Sequence, residues 1–272
     1  MALTAVGAAL TNAHRAAQLA ARAGSLQELL RLWQLVDVTD LAGTIETFAR
    51  AAAIIAGAGF EQSALISANY YGLFRRVEGI GQLAIPVASR PSADVVAGQL
   101  RGAALKGIID ARRAGMSIGA ASRQGLVRVA GEMTKQVLAG GRQTIITGTL
   151  GDRRALGWAR ATSGDPCTFC RSLAARGPVY RSEKSAGFEP HDHCGCMPEP
   201  TYAGDPVGVG TAGRADEFAA EYKTAQAWAR SSGTMSTDTS NNQLNNYRRW
   251  LDNGRPSAAG ANDGGNAGSD GS

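Results

Sequence analysis

All four cysteines and two of the three histidines of this 272-residue chain lie between Cys167 and Cys196, in the order Cys167-Thr-Phe-Cys170 and then His191-Asp-His193-Cys194-Gly-Cys196. No other feature restricts the fold as strongly. Two thiols at Cys-x2-Cys spacing reach one ion, and a second His/Cys turn twenty residues on can complete a tetrahedral site of soft ligands that suits zinc. If these residues meet, the chain must fold back on itself and hold that turn closed. Six candidates compete for four positions. Neighbouring His193 and Cys194 point apart in extended backbone, which favours Cys167, Cys170, His191 and Cys194, with Cys196 as the main substitute. A site closed by four protein ligands is structural, because no position stays open for water.

Two other chemistries use the same residues. Four cysteines allow two disulfides in three pairings. The N-terminus, however, reads as an Ala-rich helix without the basic segment, apolar block and cleavage site of a secretory signal, so a reducing cytoplasm is expected and zinc is favoured. A Cys nucleophile with a His base needs only one of each, and paired thiols at chelating spacing are more than it requires. His14 stands alone in the Ala-rich helix and reads as an ordinary surface or core histidine.

The net charge of +5 is equally localised. Residues 101–160 carry eleven Lys/Arg against three Asp/Glu, an excess of +8, whereas the segments on either side are neutral or slightly acidic. The belt comprises Arg101, Lys106, Arg112, Arg113, Arg123, Arg128, Lys135, Arg142, Arg153, Arg154 and Arg160. These residues are spread through amphipathic sequence, so solvated helix faces explain them as well as a phosphate-binding or partner-binding surface does. No aromatic residue interleaves the belt before Trp158, which argues against stacking on single-stranded bases. Contact with nucleic acid would run through the phosphate backbone without sequence reading.

Periodicity and punctuation give an α+β chain. A mostly helical region, 1–140, precedes a small zinc-stapled α+β module, 141–202. A linker and amphipathic helices follow over 203–251, and a disordered tail over 252–272. Within the first region, residues 3–23 read as a helix, and Ser25-Leu-Gln-Glu28 reads as the capping box of a new one. Asp40 caps a helix expected to end near Gly57 and Gly59, with 62–77 continuing the pattern. Pro86 and Pro91 mark a break. Helices resume at Ser92 and Ser117, the second expected to close at Gly140-Gly141. After the double glycine, Leu156–Thr162 reads as a strand. Phe218, Tyr222, Ala225 and Ala229 form one helix face, and Leu244, Tyr247 and Leu251 another. No uninterrupted apolar run reaches the 18 or so residues of a membrane span, so no membrane partner is expected.

From Trp158 to Pro198 the sequence resembles the MuF-like minor head proteins of tailed bacteriophages, above all those of phages infecting actinobacteria. The likeness is carried by Trp158 and Arg160, the Cys167/Cys170 turn, and His191, Cys194 and Cys196; over the helical region it is one of character only. The resemblance implies a low-copy virion protein near the portal, present in the host cytoplasm during assembly and then inside the capsid. It would act in head assembly, DNA packaging or ejection. Its implied partners are portal, scaffold or major capsid subunits and, without sequence specificity, packaged double-stranded DNA. Some members of that family are labelled capsid maturation proteases, the alternative reading. The residues lean away from an enzyme: no H-E-x-x-H occurs, Asp192 and Glu189 are the nearest acids, and the histidines a serine protease would need lie in the metal cluster.

Overall fold

A computed structural model describes residues 4–162, 164, 166–177, 188, 190–203, 214–238 and 240–257. Four long helices form its larger part: α1 (Ala5–Leu32), α2 (Leu41–Val77), α3 (Ala93–Arg113) and α4 (Ile118–Gly151), with a short 3-10 turn, Trp33–Leu35, after α1. They are followed by β1 (Ala155–Ala161), α5 (Thr168–Ala174), β2 (Met197–Tyr202), α6 (Arg214–Ser231) and α7 (Asn242–Asp252). The α+β expectation holds. The expected linker at 204–213 and the tail from 258 on lie outside the described residues. Asp252–Ser257 is described and mostly exposed, but it is tied back: Trp250 Nε1 donates to the Pro256 carbonyl at 2.8 Å, and Arg255 pairs with Glu221 at 3.0 Å.

Local chemistry sets the helix starts. Thr4, Asp40, Ser92 and Ser117 each accept the backbone N–H three residues on, satisfying a donor the helix leaves free. Asp40, Ser92 and Ser117 fall where the sequence places them. Between α3 and α4 the turn closes at Gly115, whose φ of +77° suits a residue without a Cβ.

Three expected breaks are absent. Helix α1 runs through Ser25, whose Oγ donates back to the Ala21 carbonyl at 3.2 Å instead of capping a new helix. Helix α2 runs through Gly57 and Gly59, and α4 through Gly140 and Gly141. The reason is interhelical contact. A Cβ at Gly59 would stand 2.6 Å from Ser25 Oγ and 2.7 Å from a Val137 methyl, and one at Gly140 would stand 2.1 Å from the Phe60 carbonyl oxygen. These small residues are the crossing points of α1, α2 and α4, where only a bare backbone fits. Tertiary packing supplies what glycine withholds in helix propensity.

The principal core gathers Leu29, Trp33, Phe48, Leu100, Ile108, Val129, Met133 and Val137 around the alanines of α2. Among the described residues, α2 is the one helix that by length and composition could cross a membrane, although it holds no uninterrupted apolar run of that length. In this fold its apolar face, from Ile45 through Phe60 to Phe74, is core against the other helices.

A polar seam crosses the same bundle. His14 stacks on Tyr70 with ring centroids 4.2 Å apart, and its Nε2 lies 2.9 Å from Ser67 Oγ. Gln18 bonds Ser63 and Ser67, and Ser63 Oγ in turn accepts the Gly141 N–H at 2.9 Å. Farther along α2, buried Arg75 meets buried Asp152 at 2.8 Å, and the Tyr71 and Tyr202 hydroxyls both donate to the same carboxylate. That group ties α2, the end of α4 and β2 together, with each charge paired as burial requires.

Among the described residues the sheet has two antiparallel strands, with Trp158 opposite Pro200 and Arg160 opposite Pro198. Helix α4 packs on both strands, so it passes unbroken through the expected boundary at 140/141 and serves the bundle and the Cys/His module alike.

Two outcomes follow. Gly140→Ala should lower unfolding stability by about 1–3 kcal/mol through overpacking, whereas Gly102→Ala, with nothing within 4 Å of the new methyl, should raise it by about 0.5–1 kcal/mol. Urea denaturation of both variants checks the pair. Burial, with Arg15 adding repulsion, pushes the His14 imidazole down from 6.5 to about 3. The unfolded chain therefore takes up a proton below pH 6.5 that the folded chain refuses until about pH 3, and stability falls as pH drops through that window. The wild type should lose roughly 2 kcal/mol between pH 7 and pH 5 from this group, and His14→Gln should flatten the slope.

Candidate metal centre

Helix α5 begins at the first cysteine. Cys167 is its N-cap residue, and its Sγ accepts the Cys170 N–H at 3.4 Å, so both thiols face one side of a single turn. The second group comes from the turn His191–Cys194, closed by the Cys194 N–H donating to the His191 carbonyl at 3.2 Å, and from Cys196 just before β2. Strand pairing brings this segment back beside α5. Lys135 of α4 fixes the turn from outside, bonding Asp192 at 3.1 Å.

The sulfurs and the imidazole converge. Cys167 Sγ lies 2.5 Å from His191 Nε2, Cys170 Sγ 3.9 Å from the same nitrogen and 3.5 Å from Cys194 Sγ. Two donor triads result, Cys167/Cys170/His191 and Cys170/Cys194/Cys196, each with all donor atoms within 4.8 Å of one another. Cys170 belongs to both. Donors about 2.0–2.3 Å from one zinc ion lie about 3.5–4 Å apart; the Cys170–His191 and Cys170–Cys194 separations match this, while the Cys167–His191 contact is shorter and would have to open on binding. The Cys170 and Cys194 sulfurs stand well beyond the roughly 2.05 Å of a disulfide. Five of the six candidates thus meet; His193 lies outside both triads, in left-handed backbone (φ +62°) with its ring against Gly131 of α4.

The thiols are electrostatically unequal. Hydrogen bonding from Cys170, aided by His191, brings the Cys167 thiol down to about 5. Hydrogen bonding from Cys170 and Cys196 holds the Cys194 thiol well below its ordinary value, with the Arg142 cation contributing. Cys170, donor to both neighbours and buried, is pushed far up. For His191, burial is the largest single influence and opposes the charge, but the bond to Cys167 and the charges of Cys167 and Cys194 together outweigh it and raise the imidazole above its ordinary value. A soft cation satisfies such a set by replacing the shared protons.

The contact between Cys167 and His191 also has the form of a thiolate–imidazolium pair. Among the described residues no side chain accepts from His191 Nδ1, so the third group that orients the base of a Cys–His pair is not seen there.

Arg142 and Arg160 need separate mention. Arg142, read from sequence as part of a basic surface, is 3% exposed and donates to the Cys194 and Cys196 carbonyls at 2.5 and 3.1 Å. It is a wall of the cysteine module, because α4 turns this position away from solvent. Arg160 is buried too, with Nη1 4.0 Å from Cys170 Sγ. Phe188, which the sequence did not single out, packs beneath both guanidinium groups. An excess of arginine without neighbouring acid was the available signal, since an uncompensated cation has to find its partner in the fold.

The rest of the belt is distributed and partly neutralised. Arg101 pairs with Glu46, Lys106 and Arg128 share Asp110, and Lys135 holds Glu132 as well as Asp192. Arg112 and Arg154 donate to the Met116 and Ile80 carbonyls. Arg113, Arg123 and Arg153 are exposed and have no acidic partner among the described residues.

Because Cys170 stands in both triads, Cys170→Ser should abolish tight Co(II) or Zn(II) binding. Cys196→Ser should leave a Cys/Cys/His/Cys set that still binds. Titration with Co(II), read in its ligand-field and thiolate charge-transfer bands, separates the two.

Residues 6–225 match the model of a family described as VG15 protein. No curated protein matches the chain, and no solved structure does. The match covers most of the helical bundle, the whole cysteine module and part of α6, and by it the chain belongs to the VG15 protein family, a family of phage proteins.

Proposed function

We propose that this chain is a minor capsid protein acting in head assembly, DNA packaging or ejection near the portal, and that its Cys/His cluster holds one structural zinc ion. The reading is supported by the phage family match together with the MuF-like pattern of Trp158, Arg160, Cys167, Cys170, His191, Cys194 and Cys196. The observation that carries it is the convergence of five soft donors in one cluster. Cys167, Cys170, His191 and Cys194 would hold the ion, with Cys196 able to replace one of them. Bound there, zinc supplies a Lewis-acidic cation that takes up thiolate charge and supplies folding energy. The protein's own residues do the positioning: α5 presents its first turn, Lys135 fixes the opposing turn, and β2 is thereby held on β1 and α4. The four-helix region is the part that docks on portal, scaffold or major capsid subunits. The exposed arginines, Arg113, Arg123 and Arg153 foremost, would face a partner or packaged double-stranded DNA without reading its sequence. The protein would work in the host cytoplasm during assembly and remain inside the capsid.

Capsid maturation protease is the second reading, favoured by the contact between Cys167 and His191. Coexpression with the major capsid and scaffold proteins separates the two. New cleavage products lost in Cys167→Ala would replace the structural reading; unchanged head proteins support it.

In purified virions the chain should be present in low copy and appear beside the portal in an asymmetric reconstruction. A phage lacking it should build heads that fail to package or deliver DNA. Its absence from virions, with normal titre after deletion, would overturn the proposal. Elemental analysis should return about one zinc per chain, as one closed site requires.

A further inference from the structure

Two arginines are buried beside the sulfur cluster without carboxylate hydrogen bonds or ion pairs among those described for them. Arg142 uses Nη2 and Nε on the carbonyls of Cys194 and Cys196, and its Nη1 is buried without an acceptor among the described residues. Arg160 reaches Cys170 Sγ at 4.0 Å, and its Nε is likewise buried without an acceptor. Both guanidinium carbons lie over one face-contacting ring, Phe188, at 4.8 and 3.7 Å from its centroid. An aromatic face and backbone carbonyls only partly offset a buried cation, and two such cations side by side repel each other. What would balance them is an anion between them and α5. A zinc ion bound by three thiolates and a neutral imidazole carries a net charge of −1, and by four thiolates −2.

We infer that Arg142 and Arg160 are the counter-cations of a net-anionic zinc–thiolate centre, and that their charge, more than their backbone contacts, sets its affinity. The inference rests on the zinc reading above. It gives the arginines a positioning and electrostatic role toward ligands they do not replace, as outer-shell partners have at other metal sites. It also accounts for two arginines being buried inside the module.

The test uses the full chain and competition between the protein and a chromophoric zinc chelator. Arg142→Met and Arg160→Met should each weaken zinc binding on the order of 10- to 100-fold, while Arg142→Lys and Arg160→Lys, which keep the charge, recover most of the loss. With Co(II) in the site, the Met variants should keep tetrahedral ligand-field bands, and their thiolate-to-cobalt charge-transfer band should move to lower energy, because removing a nearby cation raises the sulfur electrons. Undiminished affinity and an unmoved band in both Met variants would overturn the inference while leaving zinc in place. Equal loss in the Lys and Met variants would overturn it in favour of the carbonyl contacts. If Arg142→Met does not fold, Arg160→Met alone decides, since Arg160 makes no carbonyl contact with the cysteine turn. A wild-type chain that binds no zinc would instead remove the reading beneath it.

Discussion

The close approach of α4 to α2 at Gly140 governs the arrangement of the molecule. There the backbone of one helix meets the Phe60 carbonyl of the other with no space for a side chain. Two residues later, about 200° around the helix, Arg142 points to the opposite side and into the cysteine turn. One segment of α4 therefore presses its glycines into the bundle and its arginine into the module. Any shift that opened the helix crossing would also move the wall of the metal centre.

This coupling gives a physical account of how a small two-stranded sheet can persist. Two strands alone bury too little to be stable in water. Here they are fastened on one side by α4 and the Arg75–Asp152–Tyr202 group, and on the other by the convergent thiols of α5 and the 191–196 turn. A second polar hub does similar work toward the C-terminus. Glu221 of α6 receives Arg171 from α5, the Tyr247 hydroxyl from α7 and Arg255 beyond it, so the last described helices are anchored to the same short helix that begins at Cys167. Centres of charge, each with its partners in different elements, join pieces whose apolar faces are small.

Much of this was legible residue by residue. Helix starts at Asp40, Ser92 and Ser117 are local events in which a side-chain oxygen meets a backbone donor three residues away, and β1 lies where its pattern places it. The donor cluster was legible because residues able to share one ion leave a spacing in the chain: Cys-x2-Cys and His-x2-Cys-x-Cys are short-range patterns. Helix ends at Ser25, Gly59 and Gly140 were misread for the converse reason. A glycine or serine inside a periodic run looks like punctuation until another helix is found lying against it. Arg142 was misplaced likewise, since a charge is read as surface when its compensating groups lie more than fifty residues away.

The sequence by itself therefore determined the helix starts at Asp40, Ser92 and Ser117, the strand β1 and the residues able to act as donors, because each is marked by a pattern within a few residues. It placed the chain in the α+β class and marked Cys167, Cys170, His191, Cys194 and Cys196 as the residues with chemistry to offer. The tertiary structure decided which of those donors share a centre, that His193 does not, and that two arginines of the basic belt stand inside. Those outcomes depend on how α4 crosses α2 and how β2 pairs with β1, and such long-range contacts leave no local signature in the order of residues.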